Sequence, residues 1–275
     1  MRRFLFLPLL ALTAASCTPD EVLLSYGSQV GRRLTYELQL RGRIERTLSG
    51  STRTQDIRAT FRAEQEVTGR LSGGRASARM TLIPRSLVVD GRAQQIGSAR
   101  AFEVVLGPDG RILELEGPEE EEEEETLAPL GIDRLLPRLR PVLPGRPVTA
   151  GEVWVNESEF QDAGGRFTLR LRSRLAAFGV VAGRRAALVR TTYSSPVSRR
   201  EIFSNAVTDV RGEDVGTQEA WFALQGYLVR SSGDSVGSYR LLFRPPGGQT
   251  TGVAPVEGAL RVRLHTDMRL VPATR

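Results

Sequence analysis

Few side chains in this chain have types and spacing that could do chemistry. Gly233-Asp234-Ser235-Val236-Gly237 has the Gly-x-Ser-x-Gly spacing of a nucleophilic serine on a tight turn, and Glu257 and His265 follow in the order Ser, acid, His. A serine hydrolase built this way needs a buried strand before the serine, a helix after it and backbone N–H groups for the oxyanion. Downstream of the motif stand Tyr239, Arg240, Leu241, Leu242 and Phe243, then Pro245-Pro246, which reads as a strand and a stop. The interval between Ser235 and His265 leaves no room for the sheet and helices of that fold, and a Gly-Asp-Ser string also suits a hairpin turn. No catalytic residue is assigned, and a hydrolase ranks third among the functions considered. His265 is the sole histidine and Cys17 the sole cysteine, so no His or Cys ligand set for a metal exists and no cofactor is expected.

Binding chemistry has more material. All 38 basic residues are arginine. Arg170, Arg172 and Arg174, with Arg261, Arg263 and Arg269, alternate along apolar runs, and guanidinium forks can hold phosphate or other anionic groups in bidentate fashion. A solvated sheet face is the competing account. Trp154, Trp221, Phe222, Tyr227, Leu135 and Leu136 could line a cavity for an acyl chain or serve as plain core. Glu119 to Glu125 form an unbroken acidic run, which lacks the turn and carbonyl spacing of a calcium loop and reads as a solvated segment. The net charge of +6 over 275 residues is mild, and no nucleic-acid partner is expected.

The elements that must position these residues are strands. Leu34, Tyr36, Leu38 and Leu40 alternate with polar residues, as do Ala59, Phe61, Ala63 and Val67, and Phe167, Leu169, Leu171 and Leu175. Residues 79–89 form a longer candidate whose Pro84 predicts an edge, a bulge or a break. Pro108-Asp109-Gly110 between apolar runs is the clearest hairpin, and Gln225-Gly226 marks a second. These two hairpins resemble each other weakly, which an internal duplication would explain, although any two hairpins of an antiparallel protein look alike. The last strand sets Leu260, Val262, Leu264, Met268 and Leu270 against Arg261, Arg263, His265, Asp267 and Arg269. One-sided strands of this kind predict an all-β fold with minor α content: a large, curved antiparallel sheet, or two related half-sheets or a half-barrel, with one short helix at residues 127–136. The expected organisation is an N-terminal β half over 30–117, an acidic and proline-rich connector over 118–147, and a C-terminal β half over 148–275.

Residues 1–16 precede this body. Arg2-Arg3, a short apolar segment and Ala14-Ala15-Ser16 ahead of Cys17 have the build of a secretory signal, too short in its apolar part to span a bilayer. The small residues followed by cysteine resemble the lipobox of bacterial lipoproteins, which implies removal of residues 1–16 and lipid on Cys17, with a tether over 17–29. Removing Arg2 and Arg3 leaves the mature chain near +4 (6 − 2). Arg2-Arg3-Phe4-Leu5 also partly resembles a twin-arginine export signal. Thr18 after the cysteine, where such lipoproteins retained in an inner membrane commonly have aspartate, points to the periplasmic side of an outer membrane in a two-membrane organism. Pro144-Gly145-Arg146-Pro147-Val148 leading to Gly151-Glu152-Val153-Trp154 resembles a stretch of uncharacterised β-rich secreted bacterial lipoproteins. That resemblance implies an open, curved sheet of the lipid-carrier type. The leading expectation is a membrane-anchored, non-catalytic binding module for a lipid or amphiphile. The alternative is a structural or assembly lipoprotein that binds an envelope protein.

Overall fold

The structure, a computed structural model, describes residues 21–117, 135–162, 165–203, 206–244 and 255–272, without the side chains of 160–162, 165, 166, 201–203 and 206. Cys17, the acidic run and most of the expected helix at 127–136 lie outside these residues. The described part of the connector forms a 3-10 turn over Leu136–Arg138, with Pro137 near its start.

The strands are β1 (Val22–Leu23), β2 (Arg33–Leu48), β3 (Ser51–Arg70), β4 (Ala76–Val89), β5 (Arg92–Ala93), β6 (Arg100–Leu106), β7 (Ile112–Glu116), β8 (Pro147–Val148), β9 (Val153–Asp162), β10 (Gly165–Val181), β11 (Arg184–Phe203), β12 (Ala206–Ala223), β13 (Tyr227–Arg244) and β14 (Val256–Leu270). Twelve of them form one antiparallel sheet in the order β7-β6-β4-β3-β2-β14-β13-β12-β11-β10-β9, with β5 beside β4, while β1 and β8 make a separate two-stranded pair. The sheet does not close into a barrel, and among the described residues β7 and β9 are its two edges. Strands from either side of the connector join where β14 pairs with β2, from Gly258↔Leu48 to Leu270↔Tyr36.

Alternation decides which face is buried. In β2, Tyr36, Leu38, Leu40 and Ile44 are buried while Glu37, Gln39, Arg41 and Arg43 point out. β14 does the same with Val262, Leu264 and Met268 inside and Arg261, Arg263 and Arg269 outside, as its pattern predicts. The hairpins at Pro108-Asp109-Gly110 and at Gln225-Gly226 form as expected, joining Leu106 to Ile112 and Ala223 to Tyr227. Pro84 produces a bulge: Thr60 and Phe61 face Ser86 and Pro84, which leaves Arg85 as the extra residue.

A sheet buried on one face needs a cover, and this chain supplies its own. Leu135, Leu136 and Leu139 of the connector join the main core with Leu38, Leu40, Phe61 and Phe102. Val142 packs with Leu169 and Leu171, and Leu143 with Leu24, Trp154, Leu175 and Phe222. Each such side chain contributes about 1.5–3 kcal/mol on leaving water. The N-terminal stretch expected as a tether is drawn in earlier than predicted, because Val22 pairs with Val148, Leu24 is 1% exposed and Tyr26 stacks edge-on against Phe222 at 4.7 Å. Tyr26 also donates its hydroxyl to the Pro141 carbonyl at 2.9 Å. Its pKa is raised by burial, with the Arg140 charge above its ring working the other way.

Candidate functional site

The centre of the concave face is polar. Residues of inward parity on β12 run Val210, Gly212, Asp214, Gly216, Gln218, Ala220. A carboxylate at that parity is costly without a partner. Arg138, at the end of the 3-10 turn, supplies it: Arg138 Nη2 donates to Asp214 Oδ2 at 2.8 Å, with both side chains about nine-tenths buried. Burial is the largest single influence and works against the Arg138 charge, but Asp214 together with Tyr193 and Tyr239 outweighs it and raises the arginine's pKa. Tyr239 donates its hydroxyl to the other Asp214 oxygen.

The rest of the cluster fixes the connector backbone. Gln218 Nε2 donates to the Arg138 carbonyl at 2.7 Å and to Ser231 Oγ at 3.0 Å. The Arg138 guanidinium lies 5.5 Å from the centre of the Tyr193 ring. Gly216 makes this possible, since a methyl there would meet the Tyr193 ring and hydroxyl. Chemically the cluster holds charge and sets the register of the connector.

The sequence-predicted hydrolase residues do not assemble, which corrects both expectations for their motif. Gly233-Asp234-Ser235-Val236-Gly237 is neither an elbow nor a turn but lies in mid-strand in β13, where Ser235 faces Gly216 and Leu264. Ser235 has inward parity, whereas His265 stands on the outer face and hydrogen-bonds Asp234 through Nδ1 at 2.8 Å. The sheet itself separates serine from histidine. Glu257 is a further eight residues up β14, opposite Leu242.

The residues proposed to line an acyl cavity are core. Trp154 is 6% exposed and donates Nε1 to the Val142 carbonyl at 2.9 Å. Phe222, Leu135 and Leu136 are each less than 5% exposed. Trp221 has the opposite parity to Phe222 and packs near Ala223, Tyr227 and Val229. A cavity of about 10 Å³, lined among others by Tyr26, Arg32, Gln65, Arg140 and Tyr227, has room for about one water.

The two arginine rows also stay apart. Arg170, Arg172 and Arg174 are exposed on β10 and Arg261 and Arg263 on β14, four strand spacings or about 19 Å away. Register brings other arginines to each. Arg263 faces Arg43, Arg41 faces Arg58 and Arg174 faces Arg190. Carboxylates interleave: Glu45 lies 3.5 Å from Arg43 and 3.9 Å from Arg263, Glu157 3.4 Å from Arg170 and Glu219 2.8 Å from Arg190. Exposed pairs of this kind contribute about 0.2–1 kcal/mol each. Among the described residues no cluster of three or more His, Cys, Asp or Glu could hold a metal ion. No described helix is long and apolar enough to cross a membrane.

Compared with known proteins, the chain matches no protein-family model and no curated protein.

Proposed function

We propose that this chain is an extracytoplasmic lipoprotein, anchored to a membrane by lipid on Cys17, and that it serves as a non-catalytic binding module for a protein of the cell envelope. The observation that supports a protein over an amphiphile is the filled trough. Leu135, Leu136, Leu139, Val142 and Leu143 occupy the space an acyl chain would need, and the buried Arg138–Asp214 pair holds them there. A lipid ligand would require that whole segment to leave. The outer face and the two edges are what this sheet offers a partner.

The anchor is tested by a Cys17→Ala variant expressed in a bacterial host with radiolabelled palmitate. The variant is expected to lose the label and to leave the membrane fraction or accumulate as precursor. A variant that is processed and stays membrane-bound overturns the reading.

A further inference from the structure

We propose that the outer edge of β9 is a strand-addition site for an extended, basic segment of a protein partner, carrying arginine or lysine opposite Glu157 and Glu159. This rests on the binding-module reading and names its site and the partner's chemistry. β9 pairs with β10 from Gly165↔Asp162 to Arg174↔Val153 without a register shift, and with no described strand on its other side. Natural sheets protect such edges with prolines, bulges, charged side chains or very short strands. Of these β9 has only charge, all of it acidic: Val153-Trp154-Val155-Asn156-Glu157-Ser158-Glu159-Phe160-Gln161-Asp162 is a ten-residue strand without proline or arginine, so its charge turns away acidic strands and admits a basic one. The other edge, β7, is a five-residue strand.

The side chains on β9 specify the occupant. On its outer face Val153 is 40% exposed and Val155 72% exposed, and Glu157 and Glu159 come next, both exposed. Glu157 already draws a guanidinium from the neighbouring strand, Arg170, at 3.4 Å. An added strand would set its own side chains directly opposite these glutamates, where opposite charge stabilises and like charge opposes pairing. On the inner face, Asn156 Nδ2 and Ser158 Oγ are buried without a hydrogen-bond partner among the described residues. Polar groups on the inward side of an incoming strand would satisfy them.

A second copy of this chain is a poor occupant. Two β9 edges in antiparallel alignment would bring glutamates together, and β7 presents Glu114 and Glu116, also exposed. The partner is therefore a different protein, with a basic segment of about ten residues, roughly 34 Å of extended chain.

The test uses the full mature chain in detergent and a fluorescein-labelled decapeptide of alternating arginine and threonine, read by anisotropy. Two further peptides carry N-methyl groups on one or the other alternate set of residues, and a fourth alternates glutamate and threonine. The basic peptide is expected to bind, one N-methylated form to lose about tenfold or more, and the acidic peptide to bind at least tenfold more weakly. Glu157→Arg with Glu159→Arg is expected to exchange the preference from basic to acidic, with the circular dichroism spectrum unchanged. The proposal is overturned if both methylated peptides bind like the parent, if the double variant keeps the basic preference, or if no peptide binds. Should peptide binding fail while cross-linking in the membrane still joins the chain to one envelope protein through another face, the edge site falls and the binding-module reading stands. Failure of both sinks both.

Discussion

Removing the Arg138–Asp214 pair should expose how much the fold depends on one buried charge contact. Arg138 and Asp214 are 9% and 10% exposed, and the pair links the connector to the centre of the sheet. Taking away one member leaves the other charged, buried and without its main partner, which costs about 3–5 kcal/mol. For Asp214→Asn, Tyr239 keeps an acceptor, so the lower half of that range is expected; for Arg138→Met, the carboxylate keeps only Tyr239, and the upper half is expected. In a chain of this size that corresponds to a loss of roughly 6–20 °C in Tm. The double variant Arg138→Met with Asp214→Leu removes both charges and should recover most of the loss, because a packed apolar pair of similar volume is about neutral against a buried ion pair. Urea unfolding followed by the fluorescence of Trp154 and Trp221 measures the cycle, which the single variant Asp214→Leu completes, with the coupling read from the free energies of the wild type, Arg138→Met, Asp214→Leu and the double variant. The reasoning is refuted if either single variant costs less than about 1 kcal/mol, the range of a solvated surface pair, or if the double variant is as unstable as the sum of the singles.

Two further results are expected from local contacts. Gly110 has φ +85 and lies against the Tyr26 ring, so Gly110→Ala meets both a strained backbone and a steric overlap; a loss of about 1–3 kcal/mol is expected in the same urea assay, and an unchanged midpoint would contradict the packing of Tyr26 on the β6–β7 turn. The pH dependence of stability should fall off on both sides. Asp267, hydrogen-bonded to Arg269, Asp209, hydrogen-bonded to Arg200, and Glu152, bound by the Thr149 N–H and Arg146, all have lowered pKa values. Their contribution is present above the unfolded carboxyl range of about 4 and is lost as pH falls through the lowered values. Burial raises the pKa of Tyr26, Tyr36 and Tyr193. Their contribution is complete below an unfolded value of about 10 and is lost as pH climbs through the raised ones. Thermal melts between acid and alkaline pH check both limbs, and a midpoint that rose above about pH 10 would contradict the burial of the tyrosines.

The strand faces and the two hairpins were legible because alternation and turn residues are local signals. Leu260 to Leu270 and Pro108-Asp109-Gly110 needed no tertiary information. The length of β13 was not legible. Ser231 to Ser238 is rich in glycine and serine and reads as a turn, yet Gly237 within it is what leaves room for the Tyr239 hydroxyl beside Asp214. Arg138 itself was missed because an arginine among prolines reads as surface. The usable signal was on the other side of the contact: Asp214 stands at inward parity between Gly212 and Gly216, a place where a carboxylate must find a cation. Register was also beyond local reading, and with it the gathering of Arg43 and Arg41 beside Arg263 and His265.

The pairing of β14 with β2 has a consequence in time. Arg269 meets Glu37 and Gly258 meets Leu48, so the middle of the sheet is made from the first long strand and the last. Hairpins such as β12–β13 can zip locally as soon as their residues are available, whereas this junction has to wait for the final strand. Until then β2 has one side open and Val262, Leu264 and Met268 have no place in the core. Contacts of such long sequence separation slow folding and prolong exposure of strand edges. For a chain exported as proposed, the central junction of the sheet therefore stays open until β14, a fifteen-residue strand, is available to fill it.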